Sequence, residues 1–368
     1  MDVLKTPEID KIIFLSDVHI GVKNASIEWL ENTKDYFDNV FYKLIDKAKA
    51  DGNTPAVIVA GDFFDNRQHV DIASLTLGYS IVKEIASRCK IFFVIGNHDI
   101  YTKSDNTVTS IKMFSDIDNV IIIYDSAILE CKNFKRFLLI SWVDDVKTAT
   151  KIISDNKDTV DIIVMHSEIS GMSYDNGRKI INGVNTSIIS KHIYSGHIHK
   201  RQANERATYL GSPYHLTRSD IGNTKGVYQL DLADDNITES FIPNTYSPIY
   251  QKMYYDKIHE SPDLYGGLLT NNYVDVVVKR SELKNVTVGN IIEEMSQYSP
   301  KKLEIVLEGD EQKVEHQNIE AWSADTNISD MFDEKVGLMD QLDKNDIEKL
   351  HNMNEQYLKR AFEEIGNK

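Results

Sequence analysis

Ile95-Gly96-Asn97-His98-Asp99 follows an apolar run, Ile91-Phe92-Phe93-Val94, that reads as a strand of a parallel sheet buried on both faces. Gly96 lets the chain leave that strand abruptly and sets Asn97 and His98 at its carboxyl end, the rim where open α/β sheets bind ligands. An amide oxygen there can ligate a metal. An imidazole beside it can ligate, donate a proton or stabilise charge. Turn chemistry explains a lone Asn-His-Asp equally well. What decides between the two is that four further strand ends of this type occur in the chain.

Upstream, Lys11-Ile12-Ile13-Phe14-Leu15 is a strand ending in Ser16-Asp17-Val18-His19-Ile20-Gly21. Asp17 and His19 are two apart, so an extended backbone would point both the same way, able to share one cation. Apolar residues at helical spacing predict a helix over roughly 26–50. A second strand, Ala56–Ala60, delivers Gly61-Asp62-Phe63-Phe64-Asp65, and a helix at about 71–88 leads on to the Asn97 strand. Downstream, short β runs at 119–124, 127–132 and 136–141 suggest hairpins rather than further βαβ units, followed by a helix near 144–155. The strand Asp161–Met165 carries His166 at its carboxyl end, and His192-Ile193-Tyr194 runs into Ser195-Gly196-His197-Ile198-His199. The β pattern continues to about residue 243, and the order of elements implies an α/β sandwich: a mixed sheet packed on a second sheet, with helices outside. From 248 to about 308 a separate α+β pattern appears, with strands near 249–255, 273–279 and 303–307 and a helix near 286–298. A polar stretch at 309–326 reads as a linker, and two amphipathic helices are expected near 328–341 and 344–365.

The chain of 368 residues carries a net charge of −16, which argues against a DNA binder relying on a basic surface alone. Half of that excess lies in residues 301–368, where 17 acids face 9 bases, so the body itself is less hostile to a nucleic acid. Cys89 and Cys131 have neither zinc nor disulfide spacing and are expected to be reduced residues in or near the core. No apolar run reaches the roughly 18 residues of a membrane helix, and Met1–Lys5 does not begin a signal-peptide pattern. A cytoplasmic protein with no membrane contact is the expectation.

Five of the 11 histidines lie in the strand-end motifs: His19, His98, His166, His197 and His199. Parallel strands gather such ends along one edge although they are distant in sequence. Asp17, His19, Asp62, Asn97, His166, His197 and His199 are too many donors for one tetrahedral site. They suit two cations about 3.5–4 Å apart with a shared carboxylate, for which Asp62 is the natural bridge. Nitrogen and oxygen donors without thiolate fit manganese, iron or zinc. The chemistry implied is hydrolysis of a phosphate ester.

Asp-x-His at 17–19, Gly-Asp-x-x-Asp at 61–65, Gly-Asn-His-Asp at 96–99, His166 and Gly-His-x-His at 196–199 together resemble the calcineurin-like metallophosphoesterases. Within them, Asp-x-His-x-Gly near the start, Gly-Asp-x-Phe-Asp and the later Tyr-x-Gly-Ser-Pro are most similar to the SbcD-type DNA repair nucleases. The length and short helical tail are most like the T4-like phage recombination endonuclease subunits. The resemblance implies a β-sandwich core flanked by helices, with a small α+β capping domain and a C-terminal helical tail. The boundaries expected are 1–245 for the nuclease domain, 246–308 for the capping domain, 309–326 for the linker and 327–368 for the tail. It also implies one metal held by Asp17, His19, Asp62 and His199, and another by Asp62, Asn97, His166 and His197. His98 would face the scissile phosphate, with Asp65 as the acid that orients its ring and favours its cationic form. By the same resemblance the protein is a nuclease using two Mn2+ ions in DNA recombination, replication and repair. It would cut duplex ends 3′→5′ and single strands internally, as a homodimer joined through its C-terminal helices to a coiled-coil ABC-type ATPase. A metallophosphatase or cyclic-nucleotide phosphodiesterase on the same core is the rival, because one fold and metal site serve many substrates.

Overall fold

The computed structural model describes residues 1–102 and 105–309. Two sheets lie face to face, of six and seven strands. In the six-stranded sheet, Lys11–Leu15, Pro55–Ala60, Lys90–Val94 and Val120–Ile123 run parallel in that order. The antiparallel strands Gly226–Asp231 and Thr238–Pro243 extend it beyond Lys11–Leu15. The seven-stranded sheet is ordered Asp2–Lys5, Ser126–Glu130, Arg136–Ile140, Ile162–His166, His192–Gly196, Ala207–Tyr209, Gln202–Ala203, and its strands from Arg136 to Tyr209 are parallel.

The apolar runs lack alternation because both faces of each central strand are covered. Ile12, Phe14, Ile58 and Phe92 point between the sheets and meet Leu139, Val164 and Tyr194 from the other sheet. Ile13, Leu15, Val59 and Phe93 point outward under the helices. The expected helix at 26–50 is one continuous rod, Ile27–Tyr36 and Tyr42–Ala50 joined through a π-turn at Phe37–Phe41, which buries Tyr36, Phe37 and Phe41 against the sheet. Beside it runs Ile72–Arg88, started by the Asp71 carboxylate, which accepts the amide protons of Ala73 and Ser74. Val146–Asn156 covers the outer face of the second sheet with Ala149 and Ile153. Cys89 and Cys131 are buried and free.

One expected hairpin strand belongs elsewhere. Ser126–Glu130 and Arg136–Ile140 do pair as a hairpin, but Val120–Ile123 is a parallel edge strand of the first sheet, so the chain changes sheets between Ile123 and Ser126. Residues 250–307 build a third sheet, all parallel, from Tyr250–Tyr254, Tyr273–Val278 and Lys302–Leu307. The helices Tyr255–Glu260, Pro262–Leu269 and Val288–Ser296 supply its own core around Val274, Val276 and Val278; the sequence pattern had foreshadowed only the last of the three. This module sits firmly on the sandwich. Trp29 stacks on Tyr273 with ring centroids 5.5 Å apart, the Tyr273 hydroxyl donates to Glu28 Oε1 at 2.6 Å, and Arg218 grips Asp275 through two bonds of 2.7 and 2.9 Å. The expected linker from 310 onward and the two tail helices fall outside the described residues.

Candidate metal centre

Lys11–Leu15, Pro55–Ala60 and Lys90–Val94 from one sheet, and Ile162–His166 and His192–Gly196 from the other, end on one rim. There the structure brings together all seven expected donors. Asp17, His19 and His199 form one group, and Asp62, His166 and His197 a second, with the donor atoms of each within 4.8 Å of one another. Asn97 Oδ1 joins the second group, 3.0 Å from His166 Nε2 and 2.9 Å from His197 Nδ1. Asp62 Oδ2 stands between the groups, 3.1 Å from His166 Nε2 and 3.7 Å from His19 Nε2.

The backbone that presents them is not extended, contrary to the expectation for Asp17 and His19. Those residues have φ of 50° each, Asp62 53° and His197 87°, all in the left-handed region. Such conformations cost on the order of 1–3 kcal/mol apiece and persist only where surroundings fix them. Here the first two motif loops fix each other: the amides of Asp17, His19 and Ile20 donate to the carbonyls of Gly61, Asp62 and Phe63. Close approach is also required. A Cβ on Gly61 would lie 2.1 Å from His166 Nδ1, and one on Gly96 2.2 Å from Asp62 Oδ1.

Asp99, quoted in its motif but given no role by sequence reasoning, organises the second and third loops. Fully buried, its Oδ2 accepts the amide protons of Asp62 and Gly96, both at 2.9 Å, and its Oδ1 those of Phe63 and Phe64 at 3.0 and 3.3 Å. Burial, and then the Asp62 carboxylate, push Asp99 up to about 7, while four donors and no acceptor suit its ionised form.

Residues 10–201, just over half the chain, match the calcineurin-like phosphoesterase family. The chain belongs to that family. Exonuclease subunit 1 of Enterobacteria phage T4 is 27% identical over 238 residues, which span 64% of this chain and 68% of that protein. "Putative phosphoesterase 078R" of Invertebrate iridescent virus 3 is 24% identical over 230 residues, 58% of this chain and 60% of that protein. Among the described residues no helix is long and apolar enough to cross a membrane.

The hydrogen bonds of this phosphoesterase set the tautomers of its rings. Asp65 Oδ1 takes the proton of His19 Nδ1 at 3.1 Å, and the Ala60 carbonyl takes that of His166 Nδ1 at 2.8 Å. Both rings therefore turn an Nε2 lone pair inward. The His166 lone pair meets two oxygens, and His19 Nε2 meets His199 Nε2 at 3.0 Å. Acceptors facing acceptors repel unless a proton or a cation lies between them. Burial alone would lower the pKa of both rings, but the Asp65 and Asp62 carboxylates around His19, and Asp62 beside His166, outweigh it and raise each to about 9. Asp62, buried but faced first by His166 and then by His98, is held well below the usual carboxylate range. A pocket of inward lone pairs and one ionised carboxylate that gathers protons fits the dimetal centre of the family.

Asp65 does not act as expected. Its carboxylate serves His19, and the His98 ring instead donates from Nδ1 to the Asp65 main-chain carbonyl at 2.6 Å. Nor is the cationic form of His98 favoured: burial above all lowers its pKa. The ring is still held in place, since the His98 amide donates to Asp62 Oδ1 at 2.9 Å and Nε2 makes no hydrogen bond to the described residues.

Proposed function

We propose that this phosphoesterase is a manganese-dependent DNA nuclease, acting 3′→5′ on duplex ends and internally on single strands. It is the nuclease subunit of a complex with a coiled-coil ABC-type ATPase in DNA end processing, recombination and repair. The observation that carries the reading is the pair of donor groups meeting at Asp62, nitrogen and oxygen only. The similarity to a phage protein named as an exonuclease subunit favours a polynucleotide over a small ester. In this reading Asp17, His19, Asp62 and His199 hold one Mn2+, and Asp62, Asn97, His166 and His197 the other. When bound, such a pair lowers the pKa of a water and clamps the entering and leaving oxygens of an in-line displacement.

The chain's own work is positioning and proton delivery. Asp99 fixes the amides behind Asp62 and Gly96, and Asp65 holds the His19 ring. His98, anchored through Nδ1, offers Nε2 to the leaving oxygen. Because burial lowers its pKa, only the minor cationic form of the ring carries a proton on Nε2, and that form, the stronger acid, gives it up to that oxygen and returns to the neutral ring. Residues 246–308 serve as the capping module and 327–368 as the partner-binding tail, and the nuclease body pairs as a homodimer in the cytoplasm of the cell or phage host.

The test is linear duplex DNA labelled at either end, incubated with Mn2+, beside a chromogenic phosphodiester and a cyclic nucleotide. Degradation from 3′ ends supports the proposal. Turnover of the small esters with intact DNA would establish the phosphatase or cyclic-nucleotide phosphodiesterase instead.

A further inference from the structure

Two residues outside every motif hold the far half of the Gly-His-x-His loop. Lys225 and Asp220 are 3% and 0% exposed, with Nζ 2.5 Å from Oδ1. The same ammonium donates to the His199 carbonyl at 2.5 Å. Asp220 Oδ2 accepts the amide protons of Leu216 and Thr217 at 2.8 and 2.9 Å, which closes the turn whose Arg218 reaches Asp275 at 2.7 Å and Glu304 at 2.6 Å in the α+β module. Asn223 clasps Arg201 from both sides, accepting its amide proton at 3.0 Å and donating to its carbonyl at 3.1 Å. Residues 199–201 are thus fastened to the turn at 220–225.

The histidines of the rim are held in different ways. His19 and His166 are fixed by hydrogen bonds at Nδ1, of 3.1 and 2.8 Å. His199 Nδ1 lies 3.8 Å from Asp175 Oδ2, beyond hydrogen-bond range. Among the described residues its ring meets only the His19 ring across the site, Nε2 to Nε2 at 3.0 Å, and is otherwise placed by its main chain, whose carbonyl is held by the Lys225 ammonium and by the Ser212 amide at 3.1 Å. A buried ion pair adds little net stability, since apolar residues of similar volume often replace one without loss. What it supplies is a fixed geometry.

We propose that Lys225, held by Asp220, is the positioning residue of His199 and sets the cation affinity of the Asp17–His19–His199 half of the centre. The proposal rests on the dimetal reading above. Through the Thr217–Asp220 turn, the same anchor ties this half to the docking of the α+β module.

The experiment compares the full-length protein with a Lys225→Met/Asp220→Asn double variant, which removes both buried charges together. Mn2+ stoichiometry and affinity are measured by calorimetry, and the melting temperature is taken in chelator. Two ions on the wild type, and a double variant that melts normally yet binds one ion 10–100-fold more weakly and the other unchanged, is the expected result. Two ions at wild-type affinity in the variant overturn the proposal. Loss of both ions together with a large fall in melting temperature also overturns it, because the pair is then plain structural support. A wild-type chain that binds no second ion overturns the dimetal reading itself.

Discussion

Asp99→Asn exchanges one oxygen for an amide group, yet it is expected to be among the costliest single changes at the rim. Oδ1 serves two amide protons and Oδ2 two more, all buried. Asparagine must turn its NH2 toward one of these pairs, leaving two buried N–H groups without an acceptor and facing a donor. At about 1–3 kcal/mol for each unsatisfied group, the loss is about 2–6 kcal/mol, set against total stabilities of roughly 5–15 kcal/mol. Urea denaturation in chelator measures it directly, with Mn2+ affinity taken in parallel. Affinity should fall in both halves of the centre, because either pair includes an amide of the 62–64 stretch that carries Asp62. Asparagine is also the nearest copy of a protonated aspartic acid. A stability within about 0.5 kcal/mol of wild type would show that Asp99 works as the neutral acid, and the account of it as an ionised four-fold acceptor would be wrong.

His98→Asn should leave both metals bound while turnover falls roughly 10²–10⁴-fold; loss of metal by elemental analysis would make His98 a ligand. Asp62→Asn should lower occupancy of both halves together, and loss of a single ion would refute its role as the bridge. In chelator, His19 and His166 are raised from 6.5 to about 9, so the stability their protonation contributes is complete below about pH 6.5 and lost as pH rises through 9. A denaturation midpoint that stays flat from pH 6 to 9.5 contradicts this. Removing residues 327–368 should leave a manganese-dependent nuclease that no longer co-purifies with its ATPase; loss of the intrinsic activity would place the tail in the catalytic body.

The central strands were legible because burial on both faces leaves an unbroken apolar run, as in Ile91–Val94, and the convergence of the seven donors because the runs that carry them end on one rim. Local pattern could not say which sheet a short strand joins. Val120-Ile121-Ile122-Ile123 has the same look in a hairpin as on a parallel edge, and its partner, Lys90–Val94, is fixed by tertiary packing. The helix Pro262–Leu269 was hidden because Pro262, Gly266 and Gly267 read as breakers, although the proline sits in the first turn, where its missing N–H costs nothing. Spacing alone also could not assign Asp65, because His19 and His98 both lie beside it once left-handed residues fold the loops back. Asp99 was in plain view, but its partners are main-chain amides, which no sequence motif displays.

The rim is also the seam of the sandwich. His19 and His199, 3.0 Å apart, are separated by 180 residues of chain, as are Asp17 and the His197 amide that donates to it. A cation shared by groups so placed would be a cross-link between two layers otherwise joined by apolar packing and a few hydrogen bonds, such as that from His166 Nδ1 to the Ala60 carbonyl. The entropy of closing a loop grows slowly, about 0.6 kcal/mol per doubling of length, so a link spanning half the protein restrains the unfolded chain hardly more than a much shorter one. Its larger effect is on the order of events: with the ions in place the layers cannot begin to part at the catalytic end. Metal supply would then govern how long a folded molecule survives proteases and heat, as well as how fast it turns over.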